Sequence, residues 1–245
     1  MLKGPAKLLR SRTLVCVCLT LLLGAVASYG STITFVTPSG ATTGGGPVDA
    51  SAVFTTSAGS LSITLTNLQP NITDVAQALS DLSFTVGNGG SLTGSAQTGA
   101  SAQEITVNGN GTFSLGATLT TVAAVGWVYT TTSSTGTLDV LQGPGHAGPA
   151  HLIVGPPGGP TYSNANGSIA GNGPHNPFLN QVASFVITAP NVSADTTITS
   201  AIFSFGTTEG AALVPGVPVP EPGTMALLGT GLVGVAGFIR RKLAR

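Results

Sequence analysis

The chain has 245 residues and a formal net charge of zero, but its basic and acidic side chains occupy separate parts of the sequence. All eight Lys and Arg residues lie at or before Arg12 or at or after Arg240, and all eight acidic residues lie between Asp49 and Glu221. A central segment without basic side chains cannot neutralise phosphates, which excludes nucleic acid as a partner. It also has no arginine to clamp a phosphate or carboxylate substrate.

The N-terminal residues have the order of a secretory signal peptide. A basic region precedes an apolar run over residues 13–27, and Ala25 and Ala27 are the small residues that signal peptidase reads. We predict a signal peptide over residues 1–27 with cleavage after Ala27, or alternatively after Gly30. A transmembrane anchor or a buried helix is the other interpretation, but the run of about 15 residues is shorter than the roughly 20 that a spanning helix needs.

The only two cysteines, Cys16 and Cys18, lie within this predicted signal peptide. The mature chain would therefore contain no disulfide, no thiol nucleophile and no cysteine metal site.

Residues 28–213 form one domain-sized stretch in which short apolar–polar alternations are separated by polar turns. The clearest run, residues 61–66, alternates without a break, which is the period of a half-buried strand. Further predicted strands are residues 32–36, 82–86, 104–107, 112–119, 122–129, 137–141, 183–188 and 197–205. Only residues 74–81 are predicted as a helix, with Thr73 as its cap. The pattern predicts an all-β ectodomain built as a β-sandwich or jelly roll, with a closed barrel as the alternative.

Residues 143–177 form a Gly- and Pro-rich loop that carries all three histidines, His146, His151 and His175. Loops of this length are often functional, and imidazole is a common metal ligand. The loop contains no carboxylate, and the nearest acids are Asp139 and Asp195. We therefore expect ordinary loop hydrogen bonds from these histidines, and we predict no metal site and no cofactor.

The acidic residues form no recognisable catalytic pair along the sequence. Glycoside hydrolysis needs two facing carboxylates. The acids before the C-terminal segment are scattered: Asp49, Asp74, Asp81, Glu104, Asp139, Asp195 and Glu209. Folding can still bring such residues together, because sequence spacing does not fix distances in space. The sequence also lacks a G-x-S-x-G elbow and a P-loop, so we predict that the protein is not an enzyme.

Sparse aromatic residues give the alternative hypothesis of a carbohydrate-binding module. Trp127 and Tyr129 would share one face of a strand over residues 122–129, and Tyr162 and Phe178 lie in or beside the loop. Sugar binding requires Trp127 or Tyr162 to be exposed. Burial of Trp127 in the core would indicate a structural role instead, because large aromatic side chains dominate core packing.

The C-terminal residues combine prolines, an apolar run and a basic end. Pro215, Pro218, Pro220 and Pro222 favour an extended polyproline II linker over residues 214–223. Residues 224–239 carry no charge and would reach about 24 Å as a helix, which is marginal for a bilayer. Long basic side chains at the end of this run can reach the interface. We predict a single transmembrane helix over residues 224–239, followed by a cytoplasmic tail over residues 240–245.

The motif Val219-Pro220-Glu221-Pro222, the apolar run and the cluster Arg240, Arg241 and Lys242 resemble the PEP-CTERM sorting signal of Gram-negative bacteria in order and spacing. The resemblance implies recognition by an exosortase, a membrane-embedded cysteine protease-transpeptidase. It also implies processing at or near the motif and export in bacteria that make exopolysaccharide. Glu221 and its flanking prolines would be recognition elements rather than catalysts. A plain C-terminal anchor is the alternative.

Residues 162–178, with shorter stretches at 65–68 and 80–84, resemble the ectodomains of uncharacterised PEP-CTERM proteins, which implies no activity. Together the patterns and resemblances predict an exported cell-surface or exopolysaccharide-matrix protein of structural or adhesive type, as in a biofilm. Signal peptidase and an exosortase would process it, with the inner membrane holding a sorting intermediate. Exopolysaccharide would be a further partner.

Overall fold

The computed structural model describes residues 30–219 and Thr230, which is helical. The predicted signal peptide with Ala25 and Ala27 lies outside the described residues, and so do Pro220, Glu221 and Pro222. Apart from Thr230, the predicted transmembrane helix over residues 224–239 and the basic tail over residues 240–245 also lie outside them. Among the described residues, no helix is long and apolar enough to cross a membrane.

Strands dominate the described residues, so the all-β prediction is confirmed. The strands are β1 (Ser31–Val36), β2 (Thr42–Thr43), β3 (Gly46–Pro47), β4 (Ala50–Ser57), β5 (Ser60–Asn67), β6 (Leu79–Val86), β7 (Ala96–Val107), β8 (Phe113–Leu119), β9 (Val128–Thr131), β10 (Thr135–Asp139), β11 (Ile153–Val154), β12 (Phe178–Thr188), β13 (Ile198–Phe205), β14 (Leu213–Pro215) and β15 (Val217–Val219). A single-turn 3-10 helix spans Val75–Gln77, and the α-helix α1 spans Val122–Val125.

The strands form two layers with antiparallel pairing. Sheet I has the order β8-β7-β12-β5-β4-β1-β15. Sheet II has the order β9-β10-β6-β13-β14. The short strand β11 links the layers, because it runs parallel to β12 and also pairs with β6. Hydrogen bonds therefore continue from one sheet to the other, while β2 and β3 form a separate hairpin.

The core lies between the two sheets because one face of each strand is apolar. On β4, buried and half-exposed residues alternate along the whole strand. The ring of Phe54 on β4 lies 5.2 Å, centroid to centroid, from the ring of Phe84 on β6 in the opposite sheet. Phe35 of β1 packs edge-on against Phe54 at 6.0 Å. This arrangement fits the predicted β-sandwich.

The predicted strand over residues 122–129 is wrong in its first half. Thr121 Oγ1 accepts a hydrogen bond from the backbone N–H of Ala124 at 3.2 Å, which caps the start of α1. Gly126 has a φ of 67°, a left-handed conformation that ends the helix. The strand β9 begins only at Val128. A threonine cap and a C-terminal glycine therefore outweigh the β-propensity of the valines.

The predicted helix over residues 74–81 is also wrong. Only Val75–Gln77 are helical, and Asp74 rather than Thr73 is the cap, because its side chain accepts from Ala76 N at 2.8 Å. Ala78 is extended, and β6 begins at Leu79. The apolar residues of the expected helix face are buried by a tight turn that leads into a strand.

Strand β4 was not among the predicted strands. Its inward residues include Ala50 and Ala52, which are fully buried, and its outward residues are mostly serine and threonine. Alanine beside serine gives little contrast in hydropathy, so the alternation is weak along the sequence.

Candidate functional site

The aromatic residues predicted as sugar contacts lie mostly in the core. Trp127 is fully buried, packs against Phe185 with 5.5 Å between ring centroids, and donates from Nε1 to the carbonyl of His151 at 2.9 Å. Tyr162 is 1% exposed and donates its hydroxyl to the Gly155 carbonyl at 2.8 Å, and burial raises the pKa of that hydroxyl. Phe178 is also fully buried.

The sugar-binding hypothesis required an exposed Trp127 or Tyr162, and this condition is not met. The prediction that Trp127, Tyr162 and Phe178 offer ring faces to a ligand is therefore wrong. Their indole and phenol groups point to backbone carbonyls inside the fold, which is how buried Trp and Tyr side chains satisfy their polar atoms.

Tyr129 is the predicted ring that stays partly accessible. It borders a surface cleft of about 510 Å³ that is also lined by Ser95, Gln97, Val122 and Thr131. The Tyr129 hydroxyl lies 2.9 Å from Ser95 Oγ. The two side-chain amide atoms of Gln97 are shielded from solvent and have no hydrogen-bond partner among the described residues. The cleft wall is therefore uncharged and carries two rings, the half-buried Tyr129 and the fully buried Trp127, which lies behind the surface residues.

His151 is the most buried of the three histidines, and its ring contacts two other segments of the chain. Its Nε2 lies 3.3 Å from Glu104 Oε1, and its Nδ1 lies 3.0 Å from the Val125 carbonyl. Glu104 Oε2 also accepts from the backbone N–H of Ala117 on β8 at 3.1 Å. Both ring nitrogens therefore face oxygen atoms of other segments of the chain.

The other two histidines share none of the contacts given for His151. His175 Nδ1 contacts the Ser168 carbonyl at 2.6 Å, and His146 is exposed. In the part of the chain that the structure describes, no group of three or more His, Cys, Asp or Glu side chains could hold a metal ion. His151 and His175 therefore make the loop hydrogen bonds that the sequence analysis expected.

Two carboxyl groups that are far apart in sequence are brought together by strand pairing. Asp81 on β6 and Asp139 on β10 lie directly opposite each other in register. Asp139 is 6% exposed, and its Oδ1 accepts from Leu141 N at 2.6 Å. Burial, and then the negative charges of Asp139 and Glu209, raise the pKa of Asp81 to about 7. Asp81 can therefore hold a proton near neutral pH.

This carboxyl pair could not be predicted from the sequence, because it depends on which strands are neighbours. Asp81 falls in the predicted helix over residues 74–81 and Asp139 in the predicted strand over residues 137–141, and nothing in the sequence pairs those regions. Neither carboxylate is among the residues that line the described cleft.

The C-terminal part of the described chain belongs to the sandwich. Strand β14 pairs with β13, and the backbone N–H of Gly216 donates to the Ala201 carbonyl at 2.8 Å. Strand β15 then pairs with β1, with Val217, Pro218 and Val219 opposite Val36, Phe35 and Thr34. The chain thus passes from sheet II to sheet I within a few residues.

The predicted polyproline linker over residues 214–223 is therefore wrong for residues 214–219. Pro215 and Pro218 fit these strands because each strand is short and lies at a sheet edge, where a missing N–H is tolerated. The domain includes Val219, which is also the first residue of the predicted sorting motif.

Comparison with known proteins identifies the C-terminal segment. The family model of the PEP-CTERM protein-sorting motif matches residues 218–242, a range that includes Val219, the Pro220-Glu221-Pro222 tripeptide and the basic cluster Arg240, Arg241 and Lys242. The match begins at Pro218, inside β15. No curated protein and no solved structure matches the chain. The chain is therefore a PEP-CTERM sorting domain-containing protein, and its sorting segment starts within the last described strand of a β-domain.

Proposed function

We propose that the protein is a structural or adhesive component of the cell surface or the exopolysaccharide matrix, delivered there by an exosortase. The PEP-CTERM motif at residues 218–242 implies an exported substrate of an exosortase and a membrane-anchored sorting intermediate. Cleavage after the signal peptide at Ala27 and processing at Pro220-Glu221-Pro222 would give the mature protein.

The observation that carries this proposal is the overlap between the sorting motif and β15. Processing C-terminal to Val219 would leave all of the described strands, β1 to β15, intact. The strand β1 begins at Ser31, beside the predicted signal cleavage site, and pairs directly with β15. A domain whose first and last strands pair with each other at one side of sheet I is a unit that export and processing can trim without unfolding it.

The described side chains support a role without catalysis. The cleft beside Tyr129 is lined by uncharged residues. The Asp81 and Asp139 carboxyls sit on paired strands, and Asp139 is already occupied by the Leu141 N–H. A reaction would need converging groups on a substrate-sized opening, and the described cleft does not contain these acids.

The proposal is tested by following the protein in cells that carry the exosortase. A variant in which Glu221 and both flanking prolines are replaced by alanine should stay in the inner-membrane fraction, while the wild type reaches the surface or matrix fraction. Glu209→Gln, which changes an exposed acid of the domain, is the matched control and should behave as wild type. Equal surface delivery of wild type and the motif variant would contradict the sorting step.

The structural role needs a separate readout. Cells without the protein should form matrix that retains fewer cells under flow, and the wild-type gene should restore retention. Unchanged retention in cells that deliver the protein normally would contradict the structural or adhesive role.

A further inference from the structure

Residues 211–219, which include β14 and β15, contain no polar or charged side chain. Of these nine residues only Val214 is buried. Leu213, Val217 and Val219 are 56%, 47% and 40% exposed, and they are three of the seven exposed large hydrophobic side chains among the described residues. Exposed apolar side chains that cluster in this way mark a surface that contacts an apolar partner. We call residues 211–219 the apolar edge.

Strand pairing holds the apolar edge in place at one side of the sandwich. Strand β14 pairs with β13 in sheet II, and β15 pairs with β1 in sheet I. Between them, the backbone N–H of Gly216 donates to the Ala201 carbonyl at 2.8 Å. Val217 and Val219 are two residues apart in one strand, so their side chains share a face. The half-buried Val36 of β1 lies opposite Val217 and adds a third valine to that face.

A very short segment of chain joins the apolar edge to the apolar run of the sorting signal. Only four residues, 220–223, separate Val219 from the uncharged run over residues 224–239. An extended chain advances by at most about 3.6 Å per residue, so Val219 lies within about 18 Å of residue 224 in any conformation. The PEP-CTERM motif implies a membrane-anchored intermediate, and residues 224–239 are its predicted membrane helix. The apolar edge is therefore held close to the bilayer surface in that intermediate.

The position of the apolar edge favours the bilayer as its partner. Leucine and valine side chains gain free energy when they leave water for an apolar environment, and this gain needs no matching partner surface. A short tether also gives the bilayer a much higher effective concentration at the edge than a freely diffusing partner has. The exposed Glu209 lies two residues before the edge, so its charge disfavours anionic headgroups and favours uncharged ones.

We propose that the apolar edge docks onto the surface of the bilayer in the sorting intermediate, with Leu213, Val217 and Val219 in contact with lipid. This inference rests on the proposed function, because it needs the membrane-anchored intermediate. Docking gives the domain a fixed orientation, in which the start of the sorting motif at Pro218 faces the membrane that holds the exosortase. Processing after Val219 removes the tether, so the edge is then held only by its own lipid contacts and the domain can leave the membrane.

The test uses the full chain from Ser28 to Arg245, reconstituted at one copy per lipid nanodisc of phosphatidylcholine. This chain contains no cysteine, so Ala212→Cys gives a single site for a fluorophore that nitroxide groups on the upper acyl chains quench on contact. A second form carries about ten Gly and Ser residues inserted between Gly223 and Thr224, so that quenching reports binding rather than forced proximity. We expect quenching with both tethers.

Leu213→Thr combined with Val217→Thr tests the side chains themselves, and both positions lie outside the matched motif at residues 218–242. With the long tether, we expect the ratio of docked to free domain to fall about ten-fold, because the variant loses most of the apolar surface that lipid would cover. The matched control is Val182→Thr with Val186→Thr, at positions 38% and 41% exposed on β12, which β5, β4 and β1 separate from β15. The control should dock as wild type, and thermal unfolding should show that both variants fold.

An unquenched label in the wild type with the long tether would overturn the inference, and so would equal quenching of wild type and the Leu213 and Val217 variant. Quenching that appears only in discs with two copies would identify a second copy as the occupant and would also overturn it. Either result, in a chain that reaches the surface fraction normally, contradicts the inference alone. A chain that does not associate with the discs at all would contradict the membrane-anchored intermediate of the proposed function and the inference with it.

Discussion

Replacing Asp81 by asparagine should make the domain more stable at alkaline pH and leave its stability at acidic pH nearly unchanged. In the folded chain, burial and the charges of Asp139 and Glu209 raise the pKa of Asp81 to about 7, from an ordinary value of 3.8. The folded state therefore keeps a proton on Asp81 that the unfolded state releases near pH 4. Between these two pH values the folded state binds more protons, so stability falls as pH rises.

The size of this effect follows from the gap between the two pKa values. Each pKa unit corresponds to about 1.4 kcal/mol, so the gap of roughly three units gives an upper limit of about 4 kcal/mol. Asp81 is partly accessible to solvent, which screens its charge and reduces the value. We expect Asp81→Asn to raise the free energy of unfolding by about 2 kcal/mol at pH 8.5 and by much less at pH 4.

The assay is urea unfolding of the wild type and the variant at several pH values between 4 and 9. Asp195→Asn is the control, because Asp195 is exposed and lies in a loop. It should change the unfolding free energy by less than about 0.5 kcal/mol at every pH. The reasoning is refuted if the gain of Asp81→Asn does not grow with pH, or if Asp195→Asn shows the same gain.

Three further substitutions test the packing around the described sites, each by urea unfolding at pH 7. Trp127→Ala should lower the unfolding free energy by about 3–5 kcal/mol, because it empties a fully buried position; a loss below about 1 kcal/mol would contradict the core role. Gly136→Ala should cost about 1–3 kcal/mol, since its Cβ would lie 2.5 Å from a core phenylalanine ring, whereas Gly109→Ala, which faces open space, should be nearly neutral. Similar effects at both glycines would show that the close approach does not matter. Glu104→Gln should cost about 1–2 kcal/mol through its contact with a buried histidine, and Glu209→Gln should cost less than about 0.5 kcal/mol.

The sequence predicts strands well where apolar and polar residues contrast. Residues 61–66 alternate leucine and isoleucine with serine and threonine, and they form the middle of β5. The same rule overlooks β4, because alanine on its inward side differs little from serine. The same rule predicts a strand over residues 122–125. These residues form a helical turn instead, because Thr121 caps its start and the left-handed conformation of Gly126 ends it.

Some functional features can be predicted from the sequence and others cannot. The sorting motif is a contiguous sequence signal, so residues 218–242 could be recognised without a structure. The pairing of Asp81 with Asp139 depends on strand register between distant segments, which local patterns do not encode. The assignment of Pro215 and Pro218 to a linker failed because prolines also fit short edge strands.

The central claim is that an exosortase processes this chain at the Pro220-Glu221-Pro222 tripeptide, which comes directly after β15 in the sequence. The most direct test is mass spectrometry of both ends of the mature protein, recovered from native cells with and without the exosortase. The account predicts a chain that starts at Ser28 and ends near Pro220-Glu221-Pro222, with the whole of β15 retained and with the processed end lost when the exosortase is absent. An intact Arg245 in both strains would contradict the account, and the C-terminal segment would then be a simple anchor.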